Sequence, residues 1–120
     1  MNGLSVNQNH GEVVSIMSLL QSALVKETVA GSFDISVLPS DFYKQISKAM
    51  PTLSSDEFKE VKRLFEKITS MRLKKIQSKA TFGPLTDELA SRLTDEETVL
   101  YNVFYEQCFK LKNSVMKGEL

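Results

Sequence analysis

Hydrophobic residues recur along much of the chain at the three- and four-residue spacing of an amphipathic α-helix. The first such block spans residues 11–28, where Ser15, Ser18 and Ser22 form a narrow polar strip among apolar side chains. That apolar arc is wider than a surface helix needs for one core-facing side. We therefore expect this helix either to lie at the centre of the domain or to be covered by a partner as well.

A short second helix is predicted in "LPSDFYKQISKAM". Pro39 has the backbone angle suited to a first helical turn, and Ser40 or Asp41 can accept hydrogen bonds from the free N–H groups there. Pro51 lacks an N–H and its ring clashes with the preceding turn, so we expect the helix to stop before it.

The clearest boundary in the sequence opens a long third helix. In "LSSDEF", Ser54 and Glu57 have the spacing of a capping box, which satisfies two backbone N–H groups at a helix start. The helix should run to about Thr81, with Gly83 and Pro84 as its stop. Its inward stripe contains Phe58, Val61, Phe65, Ile68, Arg72, Ile76 and Ala80.

After a short helix or turn around "LTDELASRL", Thr94 and Glu97 form a second capping box and begin the last helix. No segment shows sustained two-residue alternation between hairpin turns, so the predicted fold class is all-α. We expect a single bundle of four to five helices over residues 11–117, preceded by a flexible segment, residues 1–10. The stripe of the last helix contains Leu100, Val103/Phe104, Gln107/Cys108, Leu111 and Val115.

Composition narrows the class of protein. Hydrophobic residues make up 42% of the chain and charged residues 25%, and the formal net charge is zero. These values are ordinary for a globular domain, and no overall field draws the chain toward DNA or anionic lipid. One cysteine allows no intrachain disulfide and favours an intracellular, cytoplasmic location. No apolar run reaches the ~18 residues of a membrane-spanning helix, so we expect no membrane partner.

Candidate catalytic chemistry is sparse. His10 is the single histidine and lies in the segment expected to be flexible, whereas a catalytic imidazole must be held in place. Cys108 lies on the stripe of the last helix, where a small buried thiol is structural. The carboxylates of Asp87, Glu88 and their counterparts at residues 95–97 suit helix starts, where they meet the helix dipole. We therefore expect no enzyme activity, no cofactor and no metal.

Charge is unevenly distributed although the total is zero. Residues 59–79 carry eight cations and two anions, whereas residues 86–106 carry six anions and one cation. One interpretation is a solvated face that pairs with the acidic stretch. The alternative is a small helical nucleic-acid-binding module whose basic helix contacts phosphates. The candidate phosphate contacts are Lys67, Lys74, Lys75 and Lys79.

Arg72 stands out because it occupies an inward position of the long helix, one turn after Ile68 and one turn before Ile76. A guanidinium does not shed its charge, so burial requires a carboxylate or several carbonyl oxygens. We expect a structural ion pair with an acidic residue of the last helix or of residues 87–88.

Three segments resemble archaeal GINS subunits, which are components of a DNA replication complex. "LLQSALVKETVAGSFDISVLPSDFYKQI" is similar to the family's start, with a basic-acidic pair like Lys26-Glu27 and an "LP-x-DFY" helix. "RLKKIQSKA" resembles "R-x-x-K-I-x-x-x-A", and "LTDEETVLY" resembles "LT-x-EE-x-x-L-Y". The matching residues are Leu38, Pro39, Asp41, Phe42 and Tyr43; Arg72, Lys75, Ile76 and Ala80; and Leu93, Thr94, Glu96, Glu97, Leu100 and Tyr101.

The resemblance implies the class that places a helical A domain first and a small β-rich B domain last. Because the sequence ends at Leu120, we expect the A domain alone within it. It further implies a non-catalytic scaffold subunit of a homo- or hetero-tetrameric GINS complex in chromosomal DNA replication. Such a scaffold joins the MCM helicase to a RecJ-like protein and suggests contacts with primase or polymerase. DNA contact is then weak or indirect, and the location is nucleoid-associated.

The scaffold interpretation accounts for the wide apolar arc of the first helix and for the aromatic residues of "YNVFYEQCF". These aromatic side chains cannot easily all face one small core, although internal packing is the alternative. We expect part of them, together with residues of the first helix, to form a subunit interface. The predicted interface residues are Met17, Leu20, Leu24, Tyr101, Phe104, Tyr105 and Phe109.

Overall fold

The computed structural model describes the backbone of residues 2–120 and the side chains of residues 15–120. Within that part it confirms the all-α prediction, with five α-helices, one short 3-10 turn and no strand. The first helix was predicted over residues 11–28, whereas the described backbone is already helical from Asn2. The flexibility expected of residues 1–10 stays a prediction, and the side chain of His10 lies outside the described side chains. The helices are α1 (Asn2–Ala30), α2 (Phe42–Ala49), α3 (Ser55–Phe82), α4 (Asp87–Ala90) and α5 (Asp95–Met116), and the 3-10 turn is Met50–Thr52.

The three long helices run in the same direction, with α3 in contact with both α1 and α5. Residues of α1 and α3 that contact each other occur in the same order along both helices. Ile16 and Leu20 share a hydrophobic cluster with Val61 and Ile68, and further along α1 Glu27 meets the later part of α3. Two return segments connect these helices. Residues 31–54, which include α2, lead from the end of α1 back to the start of α3, and residues 83–94, which include α4, lead from α3 back to the start of α5.

α5 begins beside the middle of α3 and continues past its end. Glu97 contacts Arg72, whereas Tyr101, one turn later, donates a hydrogen bond to the carbonyl of Gly83. Lys112 bonds the carbonyl of Thr81, so the last turn of α5 projects beyond α3. This offset contributes to an elongated shape of 69 × 27 × 23 Å.

Two hydrophobic clusters form the core, and Arg72 lies on α3 between them. The first cluster fills the space between α1, α2 and the first half of α3, with Leu20, Phe42 and Val61 at its centre. The second joins the later part of α3 to α5 and to the two return segments. Its buried members are Ile35, Ile76, Ala80, Leu93 and Tyr101.

Side-chain capping begins α3 and α5 as predicted, whereas Asp41, the N-cap residue of α2, makes no side-chain capping bond. Ser54 and Glu57 form the expected capping box at the start of α3. The other end of α3 lies at Phe82, one residue later than predicted, and Gly83 is extended rather than left-handed, with φ −177°. The stop therefore comes from Pro84, because a residue that precedes proline is disfavoured in the α conformation.

The short second helix differs from its prediction. Pro39 was expected in the first turn, but α2 begins only at Phe42, with Asp41 as its N-cap residue. The N–H of Phe42 bonds the carbonyl of Pro39, so the proline closes a turn that precedes the helix. At the other end, Pro51 stops the α-helix as expected, although the backbone continues as the 3-10 turn.

The predicted inward stripe of α5 is wrong for most of its members. Leu100, Val103, Leu111 and Val115 are exposed, whereas Tyr101 is buried one position away from Leu100. In the observed rotation Glu97 and Tyr101 both point at α3 and reach their partners, so Val103 faces away. Leu111 and Val115 lie on the same side as Glu97 but are exposed because α5 continues past the end of α3. Within the predicted stripe, Phe104 and Cys108 are partly buried.

The Ser54 cap gives a direct test of how the boundary of α3 is stabilised. Replacement of Ser54 by Ala removes the hydroxyl that accepts from the Glu57 N–H, which should lower the free energy of unfolding by about 1 kcal/mol. Urea denaturation measures the change. As a control, Ser70→Ala on the exposed face of the same helix should leave stability unchanged or slightly higher, because alanine is the better helix former. Equal effects of the two substitutions would contradict the capping role.

Candidate functional site

The guanidinium of Arg72 is completely buried and forms a bidentate ion pair with Glu97 of α5. Its Nε lies 2.7 Å from Oε2 of Glu97, and its Nη2 lies 2.8 Å from Oε1. Glu97 also accepts from the backbone N–H of Thr94, so the same carboxylate caps α5 and binds Arg72. The fork of arginine matches a carboxylate in this geometry, and lysine could not replace it.

The other donors of Arg72 reach α1 and the two return segments. Nη1 lies 2.5 Å from Oε1 of Glu27 and 2.8 Å from the carbonyl oxygen of Ser36, while Nη2 also bonds the carbonyl of Arg92 at 3.2 Å. Each guanidinium nitrogen therefore has a protein acceptor for every N–H that it carries. This complete pairing is the condition under which a buried charge is tolerated.

Glu27 receives a second cation, because Lys75 follows Arg72 by nearly one turn on α3. The Nζ of Lys75 lies 2.6 Å from Oε2 of Glu27 and 3.1 Å from the backbone carbonyl of the same residue. The hydroxyl of Ser36 donates to the other carboxylate oxygen at 2.7 Å. We call Glu27, Arg72, Lys75 and Glu97 the ionic cluster; its two positive and two negative charges balance.

The electrostatics of the ionic cluster hold both Glu27 and Arg72 in their charged forms. Burial by itself raises the pKa of Glu27, but the hydrogen bonds from Lys75 and Ser36, together with the charge of Arg72, bring that pKa below its ordinary value. For Arg72, burial acts to lower the pKa, and the contacts with Glu97 and Glu27 outweigh it and raise the pKa.

Tyr43 ties α2 to the ionic cluster. Its hydroxyl donates to Oε2 of Glu97 at 2.7 Å, and its ring makes edge contacts with Phe42 and Phe65. Burial, followed by the negative charge of Glu97, raises the pKa of Tyr43, so the hydroxyl keeps the proton that it donates. Together with this bond, the ionic cluster connects α1, α2, α3 and α5 through buried polar contacts.

The sequence placed Arg72 on the inner side of α3, and the acidic partner from the last helix is Glu97. Sequence reasoning did not assign Glu27 as a partner. A usable signal existed, because Ile16, Leu20, Ala23 and Glu27 are spaced by four, three and four residues and share one face of α1. A single carboxylate that continues an apolar stripe indicates a buried cation opposite it.

The set of candidate phosphate contacts needs one correction. Lys75 is buried and bonded to Glu27, so it presents no ammonium group to a nucleic acid. It lies on the inner side because it follows Arg72 by three residues. The side chains of Lys67 and Lys74 are exposed, and that of Lys79 is partly buried.

The predicted interface residues are also distributed differently from the expectation. Leu20 and Tyr101 are buried within the chain at 0% and 2% exposure, so they leave no surface for a partner. Internal packing accounts for them, because each lies at the centre of a hydrophobic cluster. Four others pack against the clusters and are partly buried, and Phe109 is 53% exposed. Those four residues are Met17, Leu24, Phe104 and Tyr105.

Part of the apolar surface that the chain leaves uncovered lies on α5. Val99, Leu100 and Val103 are 63%, 37% and 46% exposed and lie close together on the helix. Leu111, 57% exposed, lies two turns beyond Val103, past the polar Gln107. We call these four residues the outward stripe of α5. Neighbouring apolar side chains exposed in this way are typical of protein contact surfaces.

These features define a helical-bundle domain with a buried ionic cluster and an uncovered apolar helix face. A family model described as the Sld5-type GINS complex protein helical bundle domain matches residues 18–116, and the chain belongs to this family. Membership supports a role as a subunit of the GINS complex in DNA replication. Comparison with curated proteins and with solved structures returned no match. In the part of the chain that the structure describes, every helix is too short or too polar to cross a membrane.

Loss of Arg72 should strongly destabilise the bundle. Arg72→Met removes the positive charge and the hydrogen-bond donors that pair with the buried carboxylates of Glu27 and Glu97. The free energy of unfolding should therefore fall by about 3–5 kcal/mol. Guanidinium chloride denaturation measures the loss. The matched control is Arg63→Met on the exposed face of α3, where the ion pair with Glu60 is solvated and its removal should change stability little. A small effect of Arg72→Met would contradict the described pairing.

Acid unfolding should depend on Glu27. The pKa of Glu27 is lower in the folded chain than its ordinary value of 4.5, so on acidification the unfolded chain binds this proton first. Its contribution to stability is therefore present above that value and is lost as the pH falls through the folded-state pKa. Glu27→Gln should lower stability at neutral pH and make the acid loss shallower, as measured by urea titrations across the acid range.

High salt should distinguish the buried interactions of Glu27 from the exposed ion pair between Arg63 and Glu60. Arg63 also lowers the pKa of Glu60, through a hydrogen bond and its charge. In about 1 M NaCl, where the Debye length is about 3 Å, the exposed pair should be screened, whereas the buried Glu27 effect should persist. Disappearance of both effects at high salt would show that Glu27 is accessible to solvent.

Proposed function

We propose that this chain is a non-catalytic scaffold subunit of an archaeal GINS complex, in the class that places its helical A domain first. Its role is to hold other replication proteins together, and it supports the replicative helicase during chromosomal DNA replication. The family match and the three sequence motifs support the complex. The motif order supports the class.

The observation that carries the scaffold proposal is the outward stripe of α5. Its valine and leucine side chains gain free energy when a partner removes them from water, by about 25 cal/mol for each Å² of apolar surface. A helix from another GINS subunit can cover this row, because ridges of side chains on one helix pack into the grooves of another. We propose that it forms part of a homo- or hetero-tetramer interface. Phe109, Met17, Leu24, Phe104 and Tyr105 add their remaining exposed surface.

The further partners are the MCM helicase and a RecJ-like protein, with primase or polymerase as additional contacts. We propose a nucleoid-associated location in the cytoplasm and only weak or indirect DNA contact. The burial of Lys75 supports this last point, because it removes one of the four candidate phosphate contacts from the surface. Lys67 and Lys74 remain exposed, whereas Lys79 is partly buried on a different side of the helix.

The scaffold proposal predicts that the outward stripe is needed for assembly but not for folding. The double variant Val99→Ser and Val103→Ser should keep its helical circular dichroism but lose association with the other GINS subunits, because both side chains are exposed in the isolated chain. Size-exclusion chromatography with light scattering, on the chain alone and mixed with those subunits, measures the association. Val37→Ser serves as the control, since this valine is 60% exposed in the connection between α1 and α2.

A wild-type chain that stays monomeric at high micromolar concentration, and that also binds no GINS subunit, would overturn the scaffold proposal. An electrophoretic shift on forked DNA provides the contrasting result. Tight binding with a steep salt dependence would favour the nucleic-acid-binding module instead. Affinity purification from the source cell, followed by mass spectrometry, should recover helicase together with further GINS subunits.

A further inference from the structure

We propose that the ionic cluster is a positioning device that selects one rotation of α5 against α3. It thereby decides which apolar face of α5 is buried and which is left for a partner subunit. The consequence for assembly rests on the proposed function, whereas the selection of the rotation concerns the isolated chain. Arg72 and Glu97 are the positioning residues, with Glu27 and Lys75 as their support.

Hydrophobic burial alone does not choose between the two faces of α5. The inward face carries Tyr101, Phe104 and Tyr105. Leu100 and Val103 form a second apolar pair, about a third of a turn around the same helix. A helix that is apolar on two sides can pack through either one, since the driving force scales with area and has no direction. The second cluster also includes the small side chain of Ala80, which offers α5 little shape to recognise.

The bidentate contact between Arg72 and Glu97 removes this ambiguity. Successive residues are rotated by about 100° around a helix with 3.6 residues per turn. A rotation that buries Val103 would therefore carry Glu97 away from Arg72 and leave a buried guanidinium without its carboxylate. Slippage by one residue would place Glu96 or Thr98 opposite Arg72, whereas Glu97, held by its capping box with Thr94, would no longer reach the guanidinium. The other rotation is thus penalised by an unpaired buried charge.

The position of the cluster within the fold fits this role. α3 supplies both cations, whereas α1 and α5 supply one carboxylate each, so the central helix sets the angle of its two neighbours with fixed charges. The carbonyls of Ser36 and Arg92 complete the shell, and the N–H of Leu38 joins the two return segments by bonding the same Arg92 carbonyl. Buried ion pairs are weak evidence for net stability, but they can specify one arrangement among several.

A charge-free variant separates orientation from stability. The variant combines Glu27→Gln, Arg72→Met, Lys75→Met and Glu97→Gln. The amides introduced by Glu27→Gln and Glu97→Gln can still accept from Ser36 and Tyr43 and can donate to nearby carbonyls, and Glu97→Gln keeps the capping box.

Two spin labels, at the exposed positions Ser22 of α1 and Gln107 of α5, report the distance between the two helices by pulsed electron resonance in a Cys108→Ser background.

We expect the wild-type chain to give one narrow distance distribution and the variant to give a broad or double one, with helical circular dichroism and melting temperature largely retained. If about one tenth of the variant molecules keep the native rotation, the apparent Kd for a GINS subunit should rise about tenfold. Restoration of Arg72 and Glu97 alone should recover the narrow distribution. The matched control removes the exposed pair with Glu60→Gln and Arg63→Met and should change neither measurement.

An unchanged narrow distribution in the charge-free variant would overturn the inference, because burial would then suffice to orient α5. Loss of helical structure would also overturn it, since the cluster would be holding the fold together rather than choosing a rotation. A broadened distribution supports the inference even if the wild-type chain binds no GINS subunit; in that case the proposed function fails and the positioning role stands.

Discussion

A guanidinium buried without access to water constrains this structure more than any other group. Arg72 keeps its charge, so the fold must bring acceptors to each of its nitrogens. Glu27, Glu97 and two backbone carbonyls do so, and they come from four separate parts of the chain. The arrangement of α1, α5 and both return segments around α3 can thus be traced to the needs of one side chain.

The same constraint connects the interior of the bundle to its surface. Because Glu97 points inward, Val99 and Val103 point away from α3 and are exposed. Their exposure is therefore a consequence of how α5 is held. A domain of the GINS helical-bundle family gains from this coupling, since a rigid and defined face is what a neighbouring subunit can recognise.

Local features of the fold were accessible from the sequence because they depend on residues close together in the chain. The capping boxes of Ser54 and Thr94 act over three residues, and the proline that follows Gly83 ends α3 through its immediate neighbour. The inward position of Arg72 followed from periodicity within one helix. The three motifs that resemble GINS subunits lie in elements of this kind, and the family match covers them.

Contacts between distant segments were less accessible. The apolar pattern of α5 has two candidate faces, and counting hydrophobic residues favoured the one that is exposed. Lys75 looked like a surface cation because nothing near it in the sequence shows that Glu27 of α1 lies opposite. The sequence by itself determined the helices, their caps and the buried charge that required partners. Only the tertiary structure decided which carboxylates meet that charge and which face of α5 stays exposed, because both depend on how helices far apart in the chain pack together.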